Sequence, residues 1–314
     1  MGSAGLSQRF EARVRDEFQK VARLAVEDAD VLISVGVTLV DTVTGGATHR
    51  LPADSRIDLA AGHASIGQVS YPGVGMRQAL AVLTEAVAAS RISGRTGIDD
   101  APEVATTEPD AGRTDAQLTQ RQLWASVQSF LLPGDLVIAD QGTAYYGAAG
   151  LSLPEQARLI GQPLWASIGW TLPAALGTSL GAPDRRVIVI VGDGAMQQTA
   201  PELGTLIAQG VAPIIIVLNN NGYVIERAIH SPSARYHRIP QWDWTALPSA
   251  MSAASAPLAI RATSPHKFDR ALRIASRNAG RLALIEAVLP EDDAPALLRD
   301  LTRTLDVRTS FADH

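Results

Sequence analysis

The sequence predicts an α/β protein built on a parallel sheet with helices on both faces, and three observations predict it. Residues 187–191 (VIVIV) and 213–218 (PIIIVL) are short, β-branched apolar runs of the kind that form buried strands. Each ends in a polar turn, Gly192-Asp193-Gly194 after the first and Asn219-Asn220-Asn221-Gly222 after the second. Between them residues 201–209 carry helical spacing that stops at Gly210, so the unit reads strand, helix, strand with parallel strands.

From the N-terminus, residues 9–28 read as an amphipathic helix, with Phe10, Val14, Phe18, Val21 and Leu24 near helical spacing. Residues 31–37 follow as a buried strand, and Tyr71-Pro72-Gly73-Val74-Gly75 is a turn ahead of a helix over 76–89. Residues 90–114 are rich in Gly, Pro, Asp, Glu, Ser and Thr and poor in large apolar side chains, the composition of a linker. This divides the chain into a first domain over 1–90, a linker over 91–115 and a second domain over 116–314. The second domain alternates helix 117–131, strand 136–139, helix 167–180, the unit described above, a late strand 283–288 and a closing helix 294–305. No internal repeat or low-complexity tract interrupts it.

Composition narrows the function. With 314 residues, 46% of them hydrophobic, the chain can hold two cores. A formal net charge of −5 with no basic stripe gives no face for nucleic acid. The absence of cysteine excludes disulfides, zinc thiolate sites and a thiol nucleophile. No apolar stretch is long enough to span a bilayer, and the N-terminus lacks a basic-then-apolar signal, so a cytoplasmic protein is expected.

The two polar turns carry the chemistry. In parallel sheets ligands sit beyond the carboxyl ends of the strands, where both turns lie. Mg²⁺ takes hard oxygen ligands, usually one or two from the protein, with phosphate oxygens and water completing its shell. Asp193 offers a carboxylate, Asn220 an amide oxygen and Gly222 a backbone carbonyl. Gly192 and Gly194 let the backbone approach a diphosphate closely, and the helix start that follows offers N–H groups and positive dipole. The residues alone also permit an ordinary buried strand-helix-strand unit with polar turns.

Gly192-Asp193-Gly194, followed after twenty-four residues by Asn219-Asn220, resembles the cofactor motif of thiamin-diphosphate-dependent enzymes. Within that group, residues 139–147 (ADQGTAYYG), 161–170 (GQPLWASIGW), 222–230 (GYVIERAIH) and 242–248 are similar to the 2-oxo acid decarboxylases that act on pyruvate, indolepyruvate, phenylpyruvate and branched-chain acids. Residues 27–36 (EDADVLISVG), with Asp41 and Thr44-Gly45, resemble the second half of that family's middle domain. The resemblance covers nearly the whole chain. It implies a thiamin-diphosphate-binding fold over 116–314, preceded by a partial Rossmann-like α/β middle domain.

The same resemblance assigns roles. Gly142, Thr143, Asp193, Gly194, Ala195, Asn220 and Gly222 would hold the diphosphate end, with Gln141, Gly192, Tyr223 and Ile225 also binding the cofactor and Mg²⁺ on Asp193, Asn220 and the Gly222 carbonyl. Ala195 stands where the family commonly has serine, so a hydroxyl contact is lost and weaker binding is expected. The carbonyl of Ala166 would accept from the exocyclic amine of the aminopyrimidine, and Ile168 would wedge between the cofactor's two rings. Read without the resemblance, Ile168 and Trp170 are core residues. Glu226 aligns with a glutamate that assists decarboxylation and product release by proton transfer; otherwise it is a helix-surface residue paired with His230 at i,i+4. Tyr145, Tyr146 and Ile225 align with positions that shape the substrate pocket; the bulky side chains favour an aromatic or branched substituent, the tyrosine hydroxyls could instead bind a polar group, and the tyrosines can equally be interface packing. His49, His63 and His237 read as structural or surface residues.

Members of the family are longer and begin with a pyrimidine-binding domain, which carries the glutamate that activates the cofactor and a pair of adjacent histidines. This sequence aligns from a point inside the middle domain. The expectation is therefore a cofactor-binding subunit of a split decarboxylase, completed by a second polypeptide in an assembly such as α2β2, or else a fragment. A carboligase forming an acyloin needs the same half-site. A noncatalytic regulatory or binding subunit is the reading of another class, favoured by Ala195 and opposed by intact Asp193, Asn220, Gly222 and Glu226.

Overall fold

The computed structural model describes residues 26–39, 50–51, 53–89, 116–229, 233–252, 257–299 and 302. The chain divides into two units, Met1–Thr106 and Thr107–His314, taken here one at a time.

In the first unit β1 (Leu32–Val35) pairs in parallel with β2 (Arg56–Leu59), and β3 (His63–Ile66) and β4 (Val69–Pro72) continue from β2 as an antiparallel meander. Among the described residues of this unit, only the β1–β2 pair has the parallel pairing of a Rossmann-like unit. The reason is local: the connection from β3 to β4 is a tight turn at Gly67, where φ is +55° and a Cβ would meet the Asp54 carbonyl at 2.9 Å, and so short a link joins only antiparallel strands. Helix α1 (Met76–Ala89) follows and buries none of its residues. Among the described residues of this unit, Leu59 and Ala64 are the buried apolar side chains, whereas Ile33, Val35, Ile66, Val69 and Val82 are exposed. Most of the expected helix 9–28, Asp41, Thr44, Gly45, His49 and all of the expected linker lie outside the described residues.

The second unit opens with α2 (Gln120–Phe130), β5 (Leu136–Ala139), α3 (Thr143–Ala148), β6 (Arg158–Ile160) and α4 (Thr171–Gly181). It goes on through β7 (Val187–Gly192), α5 (Asp193–Thr199), α6 (Glu202–Ala208), β8 (Ile214–Asn219) and α7 (Val224–Ile229). After a short 3₁₀ turn at Arg235–His237 come α8 (Leu247–Ala250), β9 (Leu258–Ala262), α9 (Pro265–Arg277) and β10 (Ala283–Val288). The six strands form one sheet in the order β6-β5-β7-β8-β10-β9, with every pair parallel.

Strand alternation explains why its central strands are apolar at every position. Val187, Val189, Val191, Ile215 and Val217 face one cluster with Leu172 and Ala175 of α4, Met196 of α5, and Leu203 and Leu206 of α6. Ile188, Ile190, Ile214 and Ile216 face the other with Leu123 and Val127 of α2 and Phe268, Ala271 and Leu272 of α9. Both faces are thus covered by helices.

Several boundaries differ from the sequence expectation. Helix α2 starts at Gln120 because Thr119 caps it: its hydroxyl accepts from the Gln122 N–H while the Gln122 side chain accepts from the Thr119 N–H. Helix α4 starts at Thr171 because Ala166 and Gly169 take left-handed backbone, with φ of +55° and +81°. The crossover from β7 to β8 holds two helices in place of one, and α9, amphipathic and following the Ser264-Pro265 start, is a further element. Of the closing helix, residues 296–299 and 302 are helical and the remainder lies outside the described residues.

The strand order sets the position of the site. From β5 the chain moves outward to β6 and then crosses back to β7 on the other side of β5, so the loops at the carboxyl ends of β5 and β7 diverge and leave a crevice.

Candidate active site

A cleft of about 450 Å³ lies at that crevice. Its wall takes Gln141, Gly142 and Thr143 from the loop after β5, Gly192, Asp193, Gly194 and Ala195 from the end of β7, and Asn220, Gly222 and Tyr223 from the turn after β8. Ile168 joins from the segment before α4, and Val224, Ile225 and Glu226 from α7. Residues scattered over 86 positions of sequence are gathered because three adjacent parallel strands end on the same side of the sheet.

The pairing of β7 with β8 sets Gly192 opposite Leu218, which brings Asp193 beside the amide turn. The Asp193 carboxylate is almost fully buried; one oxygen accepts from the Gly194 N–H at 2.8 Å and the other from the Gly222 N–H at 3.1 Å. Burial pushes its carboxyl up to about 6, against the lowering effect of those N–H donors and the Arg227 charge. The turn itself is fixed by conformation: Asn221 is left-handed at φ +59°, and Gly222 sits at φ +125° where a Cβ would fall 2.0 Å from the His237 carbonyl. Only glycine fits there. Buried Arg227 braces the turn from behind, its guanidinium donating to the carbonyls of Asn220, Asn221 and Glu291.

One atom of this turn is left without a partner. The Oδ1 of Asn220, in a residue 2% exposed, accepts no hydrogen bond, and neither does the buried Oε1 of Gln141 on the opposite wall. An unpaired buried acceptor costs about 1–3 kcal/mol. Beside a buried carboxylate, such an oxygen fits a divalent cation. Among the described residues no three His, Asp or Glu side chains converge as a metal cage, so a cation here would take its other ligands from a bound phosphate and water, as Mg²⁺ commonly does.

Charged residues that sequence reasoning passed over support both walls. Glu286 on β10 is buried; it accepts from the Asn219 Nδ2 at 2.8 Å and pairs with Arg261 at 3.2 Å, while Asn219 Oδ1 accepts from the Asn221 N–H at 3.4 Å. Asp140, at the end of β5, has no exposed surface and accepts from Gly169, Thr171 and Gln141. Burial raises its carboxyl, and the Thr171 hydroxyl is the largest of the donors that oppose the rise. The available signal was a lone carboxylate inside or directly after an apolar strand, since such groups are rarely buried unless paired.

Three of the residues expected at the site are not on the cleft wall. Tyr146 is buried in a small cluster with Val224, Ala294 and Leu298. Tyr145 meets it edge-on at 6.3 Å and packs against Gly161. Of the expected substrate-pocket residues, Ile225 alone lines the cleft. Ala166 is exposed and left-handed, one turn away from Ile168. Glu226 is half-buried in the first turn of α7, and His230, its alternative partner, lies outside the described residues. His237 is buried, with its carbonyl accepting from the Tyr223 N–H at 3.0 Å; His63 is exposed.

Residues 140–287 match the family described as thiamine pyrophosphate enzyme, C-terminal TPP binding domain. The chain is 42% identical over 286 residues to an alpha-keto-acid decarboxylase of Mycobacterium tuberculosis, an alignment covering 90% of this chain and 50% of that protein. It is 40% identical over 284 residues to one from Mycolicibacterium paratuberculosis, covering 90% and 49%, and 41% identical over 286 residues to one from Mycobacterium ulcerans, again 90% and 49%. The chain thus spans about half the length of the curated relatives it matches. Among the described residues no helix is long and apolar enough to cross a membrane.

Proposed function

The chain corresponds to the C-terminal part of the thiamin-diphosphate-dependent 2-oxo acid decarboxylases, and on that premise we propose that its cleft holds the diphosphate end of thiamin diphosphate with Mg²⁺ and serves the non-oxidative decarboxylation of a 2-oxo acid to an aldehyde. The observation that carries this reading is the unpartnered Oδ1 of Asn220 buried beside the Asp193 carboxylate. Asp193, Asn220 and the Gly222 carbonyl hold the cation. Gly142, Thr143, Gly194 and Ala195 admit the diphosphate, and the orphaned Gln141 Oε1 takes a donor from the bound group. Ala166 and Ile168 orient the aminopyrimidine end. When bound, thiamin diphosphate supplies the electron sink that lets CO₂ leave. Glu226, on the cleft wall, moves the proton that accompanies product formation. Ile168 and Ile225 make that wall apolar, which favours an aromatic or branched 2-oxo acid.

In the same proposal a second polypeptide supplies the pyrimidine-binding domain, in a cytoplasmic assembly such as α2β2. The exposed apolar side chains of β1, β3 and β4 support a further protein surface against the first unit. The test is to isolate the tagged chain from its native host and weigh the intact complex by native mass spectrometry in thiamin diphosphate and Mg²⁺, then assay aldehyde. We expect a stoichiometric partner bearing a pyrimidine-binding domain, aldehyde from the complex and negligible turnover by the chain alone. Appreciable aldehyde from the uncomplexed chain contradicts the split arrangement. Acyloin as the main product moves the assignment to carboligation, and a complex without cofactor moves it to a regulatory subunit.

A further inference from the structure

We propose that Asp140 is a positioning residue: with Thr199 it clamps the backbone of Gly169 from both sides and so sets where Ile168 enters the cleft. The inference rests on the reading that the cleft takes thiamin diphosphate. Both oxygens of the Asp140 carboxylate lie 3.2 Å from the Gly169 N–H, and one also accepts from the Thr171 hydroxyl at 2.7 Å. On the far side the Thr199 hydroxyl donates to the Gly169 carbonyl at 2.7 Å. Gly169 is left-handed at φ +81°, and a Cβ there would meet the Gln198 Cβ at 2.8 Å and the Ala195 carbonyl at 3.2 Å, so the backbone is pressed against α5. Ala166, three residues earlier, is left-handed too. A segment with two left-handed residues inside four does not hold its path by helical hydrogen bonds; it needs outside anchors.

Asp140 also faces the other way. Its own N–H bonds to Ile190 of β7, its carbonyl accepts from Tyr145, and its carboxylate accepts from the Gln141 N–H at 2.9 Å. Gln141, Gly142 and Thr143, from the loop after β5, and Ile168, from the segment before α4, all line the cleft. One carboxylate with no exposed surface therefore ties the strand end that starts the diphosphate wall to the segment that places Ile168. Three donors, the Gly169 and Gln141 N–H groups and the Thr171 hydroxyl, satisfy it, which is what a buried carboxylate requires. The span between the two ends of a bound thiamin diphosphate is then fixed by this side chain, although Asp140 is absent from the cleft wall.

The two ends can be tested separately. Full-length wild type, Asp140→Asn and Thr199→Val are titrated calorimetrically in Mg²⁺, once with thiamin diphosphate and once with inorganic diphosphate, which presents only the phosphate end. An amide at 140 can keep one accepting oxygen but cannot serve Gly169, Thr171 and Gln141 together, so Asp140→Asn is expected to weaken thiamin diphosphate by on the order of tenfold. Inorganic diphosphate should change by less than about twofold. Thr199→Val, which loses only the bond to the Gly169 carbonyl, should shift the same ratio in the same direction by a smaller factor, and it decides the matter if Asp140→Asn does not fold. Equal losses for both ligands, or none for either, overturn the clamp. A wild-type chain that binds inorganic diphosphate but not thiamin diphosphate, or neither, overturns the cofactor reading and this inference with it, and that result is visible before any variant is compared.

Discussion

Strand β8 is buried at all six of its residues and β4 is exposed at all four of its own. Both are short, paired strands, yet they are held by different forces. Each apolar side chain of β7 and β8 enters one of two packed clusters, so a slip of one residue would exchange the two faces and misplace every contact. That tolerance for no slippage is what keeps the two polar turns at the strand ends in register, Asp193 against the Gly222 N–H. In the first unit hydrogen-bonded pairing does most of the holding, since Leu59 and Ala64 are the buried apolar side chains among its described residues. Burial and chemistry coincide in this chain because a preformed polar site needs a frame that cannot shift.

The contrast breaks most visibly by truncating the frame. Ile216→Ala removes a fully buried side chain from the middle of β8 and should destabilise the second unit by about 2–5 kcal/mol, read from denaturant unfolding. A loss below about 1 kcal/mol would mean that the core accommodates truncation and does not fix the turns.

Next in size is the pH dependence of the metal-free chain. Burial lifts the Asp193 carboxyl from 3.8 to about 6, so the folded state binds an extra proton between those values. The associated stability is fully present below about pH 4 and is lost as pH rises through about 6, a change of about 3 kcal/mol for two pKa units. Asp140 is shifted in the same direction and adds to the slope. Unfolding measured in EDTA from pH 4 to 7 should show stability falling, and Asp193→Asn should reduce the fall. A profile that is flat, or rises with pH, contradicts the burial of these carboxylates. The smallest expected effect lies in the first unit: Val82→Ala, at a position 67% exposed, should change stability by less than about 0.5 kcal/mol.

The parts of the molecule legible in the sequence are those encoded locally. The runs 187–191 and 213–218 announced β7 and β8, the polar turns after them announced residues that line the cleft, and Gly210 ended the crossover helix where the structure ends it. What escaped reading depends on contacts far apart in the chain. Asp140 acquires its role from Gly169, 29 residues later, and Glu286 meets Asn219 across 67 residues, neither at a spacing that a periodic pattern can reveal. The meander of β2, β3 and β4 was hidden because its side chains are mostly exposed or only half-buried and so leave no strong apolar alternation. Helix α9 carries a readable stripe in Phe268, Ala271, Leu272 and Ala275, set among charged residues that obscure it. Tyr145 and Tyr146, which the resemblance aligns with the substrate pocket and which read equally well as packing, lie off the cleft wall, Tyr146 in the cluster with Val224, Ala294 and Leu298.

The central claim, that Asp193 and the unpartnered Asn220 oxygen form a cation site for a bound diphosphate, is tested most directly by titrating thiamin diphosphate into the full chain with Mg²⁺ and with EDTA, for the wild type and Asp193→Ala. The account predicts saturable binding by the wild type that requires Mg²⁺ and is lost in Asp193→Ala. Binding of equal strength in EDTA, or binding that survives the substitution, would contradict it.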